Sequence, residues 1–190
     1  LWNNVTEKQM YLTGGIGQAA RWEGFTRDYD LPNDTAYAET CASIGLMMFA
    51  HQMLKLKKSG KYADVMERAL YNGVLPGMQL DGKRFFYVNP LEVIPGISEK
   101  MPGYEHVLPN RPEWFPCACC PPNVVRLITS LGKYVFEETD HVIYQHLFVG
   151  GEAAFTDTKI SVESQWPWMG RIRYRFSECS GREFTLAIHI

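Results

Sequence analysis

The apolar spacing of this chain changes once, and that change limits what it can fold into. Up to about residue 136, apolar residues recur at three- and four-residue steps, as on a helix that buries one stripe; after about residue 140 they alternate, as on a half-buried strand. The pattern predicts an α + β chain, with helices over residues 1–138 and an antiparallel β unit over residues 139–190. The first strong helix is expected over Thr40–Lys58, with Ile44, Met47, Met48, His51 and Leu54 on its apolar stripe. Lys55, Lys57 and Lys58 suit the negative end of its dipole, and Gly60 can end it. A second helix is expected over Ala63–Val74, with Val65, Met66, Ala69 and Leu70 inward, and a third over Asn123–Phe136, with Val124, Leu127, Ile128, Leu131 and Val135 inward. Between them lies a long connection, Pro76–Pro122, rich in proline, glycine and aromatics, in which Phe85–Val88 reads as a short strand. In the second part Val142, Tyr144, His146 and Phe148 alternate, as do Ile172, Tyr174 and Phe176, and then Phe184, Leu186, Ile188 and Ile190, with turn signals at Gly150-Gly151 and Ser180-Gly181.

Charge and hydropathy exclude several classes of partner. A formal net charge of −2 over 190 residues gives no basic surface for nucleic acid or an acidic membrane. The most apolar stretch, Ser43–Leu54, is broken by Gly45, His51 and Gln52, and falls short of the ~18–20 apolar residues that span a bilayer. Leu1-Trp2-Asn3-Asn4 has neither the basic nor the apolar segment of a secretion signal. The start at Leu1 and the stop inside an alternating run read as the ends of a piece of a longer protein.

There are five cysteines, at 41, 117, 119, 120 and 179. An odd number with three crowded into four positions makes a poor disulfide framework. Thiolates held by a metal, or kept reduced in a cytoplasm, fit better.

The sharpest local feature is Cys117-Ala118-Cys119-Cys120-Pro121-Pro122-Asn123. Zinc favours thiolate sulfur and local ligand pairs, and Cys119 with Cys120 can supply one pair. The proline after Cys120 keeps that residue out of a helix interior, so both thiols fall where the third helix opens, and a helix N-terminus favours a thiolate. The second feature is Glu39-Thr40-Cys41. Residues i and i+2 diverge on a helix, so if both ends bind one metal the helix must start here, capped by Thr40 or by Asp34-Thr35. These residues alone leave a structural metal site, a thiol redox site and a catalytic centre all open. Cys117 reads as a spectator or a neighbour of the site, and Cys179 as a buried apolar residue. Thr13-Gly14-Gly15-Ile16-Gly17 has no phosphate-loop lysine and reads as tight backbone near a ligand. Glu23, between Trp22 and Phe25, is a carboxyl in an aromatic setting, where burial would suit it to proton donation.

Together, Tyr11–Gly17, Tyr29–Ser43 and Cys117–Asn123 resemble the β-L-arabinofuranosidases of glycoside hydrolase family 127. The likeness runs over nearly the whole chain. It implies an (α/α)₆ barrel followed by β-sandwich domains, with this chain as the later part of the barrel and the start of the first sandwich. It implies zinc held by Glu39, Cys41, Cys119 and Cys120, with Cys119 as nucleophile, Glu23 as general acid/base and Tyr87 as a sugar-site residue. The expected reaction is retaining hydrolysis of a carbohydrate substrate, an arabinofuranoside.

Overall fold

The helical part of the computed structural model, which describes residues 1–190, is organised around one long helix. A short turn of helix, α1 (Trp2–Asn4), runs into a wider π-helical turn over Val5–Gln9. An irregular stretch follows, and then α2 (Thr40–Leu56) and α3 (Gly60–Arg68), the latter continuing as a π-helical turn over Ala69–Val74. α2 packs against α3 and this turn. Trp2 closes one side, edge-on to Phe49 at 5.1 Å and to Tyr62 at 4.9 Å between ring centres. The buried stripe of α2 is Ser43, Ile44, Leu46, Met47, Ala50 and Leu54. It sits rotated from the predicted stripe, because Met48 and His51 are only half-buried. Val65, Met66, Ala69 and Leu70 are buried as expected.

The glycine run near the start has a different reason from the one its sequence implied. Gly14 adopts φ +84°, and a Cβ placed there would stand 2.9 Å from the backbone nitrogen of Ala69. The close approach is therefore to the protein's own backbone at Ala69. Tyr11 N donates to Gly15 O at 2.9 Å and so closes the turn.

The third predicted helix is two. α4 (Cys120–Thr129) starts earlier than expected, and α5 (Gly132–Val135) follows a break. Val124, Leu127 and Val135 are buried as expected, but Ile128 is 40% exposed. Phe85–Val88 is not a strand within a sheet. It makes isolated bridges, Phe85 to Met78 and Val88 to Glu39.

The chain divides into two units, Leu1–Ile128 and Thr129–Ile190. The second holds two three-stranded sheets. In one, β1 (Phe136–Thr139) pairs antiparallel with β2 (Val142–Gln145), and β2 pairs parallel with β6 (Thr185–Ile188). In the other, β3 (Gly151–Ala154), β4 (Lys159–Ser164) and β5 (Ile172–Ser177) are antiparallel throughout. The parallel β2–β6 pair departs from the all-antiparallel expectation. β2 also buries Ile143 and Gln145, the opposite face from the Val142/Tyr144 alternation. Ile143 turns that face inward by packing with Ile160 and Val162, and the buried Gln145 is satisfied there: it accepts a hydrogen bond from the Tyr174 hydroxyl and donates to Leu147 O at 3.2 Å. Ile143, Ile160 and Val162 form the core, flanked by Phe136, Phe155, Ile172, Tyr174, Phe184 and Leu186.

Candidate metal centre and active site

Two stretches of the first unit meet at the site. The chain arrives extended, with Glu39 at φ −60°, ψ 139°, and turns into α2 at Thr40. Thr40 does not cap its helix as predicted. Its amide donates to Tyr87 O and its hydroxyl to Phe86 O, each at 3.0 Å, which ties the helix start to the Phe85–Val88 segment. Asn89 Nδ2 reinforces the tie by donating to Ala38 O at 3.1 Å and to Thr40 Oγ1 at 3.0 Å. Gly77 packs where any side chain would meet Thr40 Oγ1 at 2.9 Å. Because Glu39 lies just before the helix and Cys41 in its first turn, both side chains can face one point.

The opposing stretch is Cys119-Cys120. Asn123 N donates to Cys119 O at 3.3 Å, so Cys119 caps α4 and Cys120 is its first residue. Pro121 and Pro122 fit here because first-turn amides have no helical partner to lose. Cys120 is buried with Phe85, Tyr87, Val88 and Phe115.

The four predicted ligands converge. The ligand atoms of Glu39, Cys41, Cys119 and Cys120 all lie within 4.8 Å of one another. Cys41 and Cys120 sulfurs are 3.6 Å apart, Cys119 and Cys120 sulfurs 3.8 Å, and Glu39 Oε1 is 3.2 Å from the Cys119 sulfur. A tetrahedral zinc with Zn–S bonds of ~2.3 Å sets its sulfurs about 3.8 Å apart, so this spacing fits such an ion. The electrostatics agree. Burial pushes the Glu39 carboxyl up to about 7 and the Cys119 thiol up to about 12. The hydrogen bond with Cys120 holds Cys41 down at about 5, and the same contact, with burial, pushes Cys120 up. Four groups that would each carry negative charge share one half-buried pocket, and they cannot all ionise without a cation among them.

Around this cluster runs a chain of hydroxyls. The buried Tyr87 hydroxyl lies 3.3 Å from the Cys119 sulfur and donates to Glu23 Oε1 at 3.2 Å. Tyr37 donates to the same oxygen at 3.0 Å. Glu23 is thus within two hydrogen bonds of Cys119, but not for the predicted reason. It is exposed, as are Trp22 at 85% and Phe25 at 48%, and the aromatics that hold it are Tyr37 and Tyr87. Glu23 sits on a tight turn in the left-handed region, with Trp22 at φ 65° and Glu23 at φ 49°. Cys117 and Cys179 are exposed, so Cys179 is not the buried residue expected. In the sequence Tyr37 stands only among aromatics, with Trp22, Phe25, Tyr87 and Trp114, that suit a sugar or a core equally, and nothing local marks its bond to Glu23.

Residues 1–133 match a family model described as the β-L-arabinofuranosidase, GH127 catalytic domain. The chain belongs to this family. A non-reducing end β-L-arabinofuranosidase from Bifidobacterium longum subsp. longum is 46% identical over 179 residues, which is 93% of this chain and 27% of the relative. The chain therefore spans about a quarter of that protein's length. Among solved structures, a GH127 β-L-arabinofuranosidase from Geobacillus stearothermophilus T6 is 54% identical with a TM-score of 0.92, and it covers 100% of this chain and 30% of that one. A second GH127 β-arabinofuranosidase is 37% identical with a TM-score of 0.89, over 100% of this chain and 28% of that one. These GH127 relatives share the α + β arrangement seen here. No helix of the chain is long and apolar enough to cross a membrane.

Proposed function

We propose that this chain carries the catalytic centre of a retaining β-L-arabinofuranosidase acting on arabinofuranose-bearing oligosaccharides or glycoconjugates. In this reading residues 1–138 are the later part of an (α/α)₆ barrel and residues 139–190 begin a β-sandwich. Glu39, Cys41, Cys119 and Cys120 hold a zinc ion, Cys119 is the nucleophile, Glu23 the general acid/base, and Tyr87 a sugar-site residue. Zinc, when bound, keeps its cysteines in the thiolate form that a nucleophile needs. Five unbridged cysteines fit a reducing, cytoplasmic setting.

The observation that carries this reading is the Cys119–Tyr87–Glu23 chain, at 3.3 Å and 3.2 Å. A closed structural metal site has no use for an exposed carboxylate linked through a phenol to one of its sulfurs. In the first step Glu23 gives its proton to the departing glycosidic oxygen. The Cys119 sulfur bonds to the anomeric carbon as the carbon–oxygen bond breaks. In the second, Glu23 takes a proton from water, the water oxygen bonds to the same carbon, and the sulfur leaves. Two inversions give net retention.

The test is trapping. The protein is mixed with an arabinofuranoside bearing an activated leaving group, quenched and digested. A pentosyl group on the peptide that contains Cys119 is expected. A pentosyl group elsewhere, or a product of inverted configuration, would remove Cys119 from the role.

A further inference from the structure

Glu23 faces a difficulty that its neighbours must solve. It is exposed, and it sits on a turn whose φ angles of 65° and 49° at Trp22 and Glu23 are costly for residues other than glycine. Such a carboxylate does not hold one direction unless something outside the turn fixes it. Two phenols do so, Tyr37 at 3.0 Å and Tyr87 at 3.2 Å, and both donate to the same oxygen, Oε1.

The two phenols are not equivalent. Tyr87 has one proton, and its oxygen also lies 3.3 Å from the Cys119 sulfur. The Tyr87 hydroxyl is therefore shared between Glu23 and Cys119. Tyr37 is the shorter of the two bonds to Glu23, and its own position is fixed by main chain on both sides. Tyr37 N donates to Gln18 O at 3.2 Å, Ala38 N to Gly17 O at 2.8 Å, and Asn89 N to Tyr37 O at 3.3 Å. Its ring is held edge-on by Tyr87 at 6.0 Å and His106 at 5.2 Å.

We propose that Tyr37 is a positioning residue for Glu23, holding the carboxyl group through Oε1 so that Oε2 is the oxygen that delivers the proton to the leaving group and takes one back from water. The proposal rests on the reading of Glu23 as acid/base. With Oε1 occupied by phenol protons, the transferable proton is confined to Oε2, and the carboxyl group does not need Tyr87 to stay aimed while Tyr87 serves the sulfur.

The test is Tyr37→Phe in the zinc-loaded protein that carries this chain, with Glu23→Gln alongside. The phenylalanine removes one oxygen and keeps the ring between Tyr87 and His106. kcat/KM is measured on two β-L-arabinofuranosides, one with an activated aryl leaving group and one with an unactivated sugar leaving group, and metal content is measured on each variant. For Tyr37→Phe, kcat/KM on the unactivated substrate is expected to fall about 10- to 100-fold, the range for losing a hydrogen bond to a charged group. The activated substrate should lose far less, KM should move little, and zinc should stay. The same leaving-group dependence in Glu23→Gln supports its acid role. Its absence there would sink the acid/base reading itself. If Glu23→Gln shows the dependence and Tyr37→Phe loses equally on both substrates, or loses nothing, the Tyr37 proposal is overturned. Loss of the fold or of the zinc in Tyr37→Phe would make Tyr37 a structural residue and overturn it as well.

Discussion

The Tyr87 hydroxyl stands 3.3 Å from the Cys119 sulfur, and it is the single atom that joins the thiol cluster to the carboxylate of Glu23. Glu39 Oε1 contacts the same sulfur at 3.2 Å. Cys119 is therefore the cysteine of the cluster that Tyr87 links to Glu23. Cys119→Ser should keep the fold, since a hydroxyl can still bond to Tyr87, while turnover falls by about a thousandfold or more. Circular dichroism and steady-state assay of the variant check this, and turnover near the parent value would rule Cys119 out as nucleophile.

The cluster should be a source of stability as well as of chemistry. Glu39→Ala with Cys41→Ala removes two of the four converging ligands. Metal analysis should find one zinc per chain in the parent protein and none in the double variant. Binding only to the folded state also stabilises it. Chelation should accordingly lower the melting temperature by about 5–15 °C, the shift expected for a ligand held at a hundred to a thousand times its dissociation constant. A folded, reduced sample that melts at the same temperature with and without chelator would show that no metal is held there.

Gly14 offers a test with no bearing on chemistry. Alanine there must accept φ +84° and must push against Ala69 N from 2.9 Å. The left-handed strain costs roughly 1–2 kcal/mol and the overpacking about as much again. Gly14→Ala should lower unfolding free energy by about 2–4 kcal/mol in denaturant titration. A change under about 0.5 kcal/mol would mean that this turn yields freely.

The second unit contains its own acid-sensitive contact. Asp157 Oδ2 is 2.6 Å from His141 Nδ1, and Asp157 Oδ1 accepts from Ser180 Oγ at 2.8 Å. The His141 hydrogen bond, then that of Ser180, holds the Asp157 carboxyl below its usual value of 3.8. Folding thus favours the ionised form. The stabilisation is fully present above pH 4 or so and is lost as pH falls through the lower, folded value. Asp157→Asn should be less stable than the parent at neutral pH and should show a shallower loss of stability below about pH 4. Parallel stability–pH curves for the two proteins would exclude this contact as the cause.

The convergent cluster was legible because its residues are chemically unusual together: a carboxylate and a cysteine two apart, and two adjacent cysteines followed by prolines. Helix existence was legible for the same kind of reason, since Val65, Met66, Ala69 and Leu70 repeat cleanly and are all buried. What sequence could not supply was the identity of partners across space. Glu23 is held by Tyr37 and Tyr87, 14 and 64 residues away, and not by its aromatic neighbours Trp22 and Phe25. Thr40 spends its hydroxyl on Phe86 O, 46 residues away, instead of capping its own helix. In β2 the core contact of Ile143 with Ile160 and Val162 turned the opposite face inward, and Tyr174 and Leu147 O, supplied from elsewhere, satisfy the glutamine buried with it. The β2–β6 parallel pair likewise depends on a long return of the chain that no local pattern encodes.

Cys41 and Cys120 touch at 3.6 Å although they lie 79 residues apart in the chain. At synthesis rates of about 5–20 residues per second, Cys41 leaves the ribosome roughly 4–16 seconds before its partner does. Throughout that interval the earlier pair, Glu39 and Cys41, has only half a shell to offer. The cluster is thus a late event in the life of each new molecule, complete only once α4 has emerged.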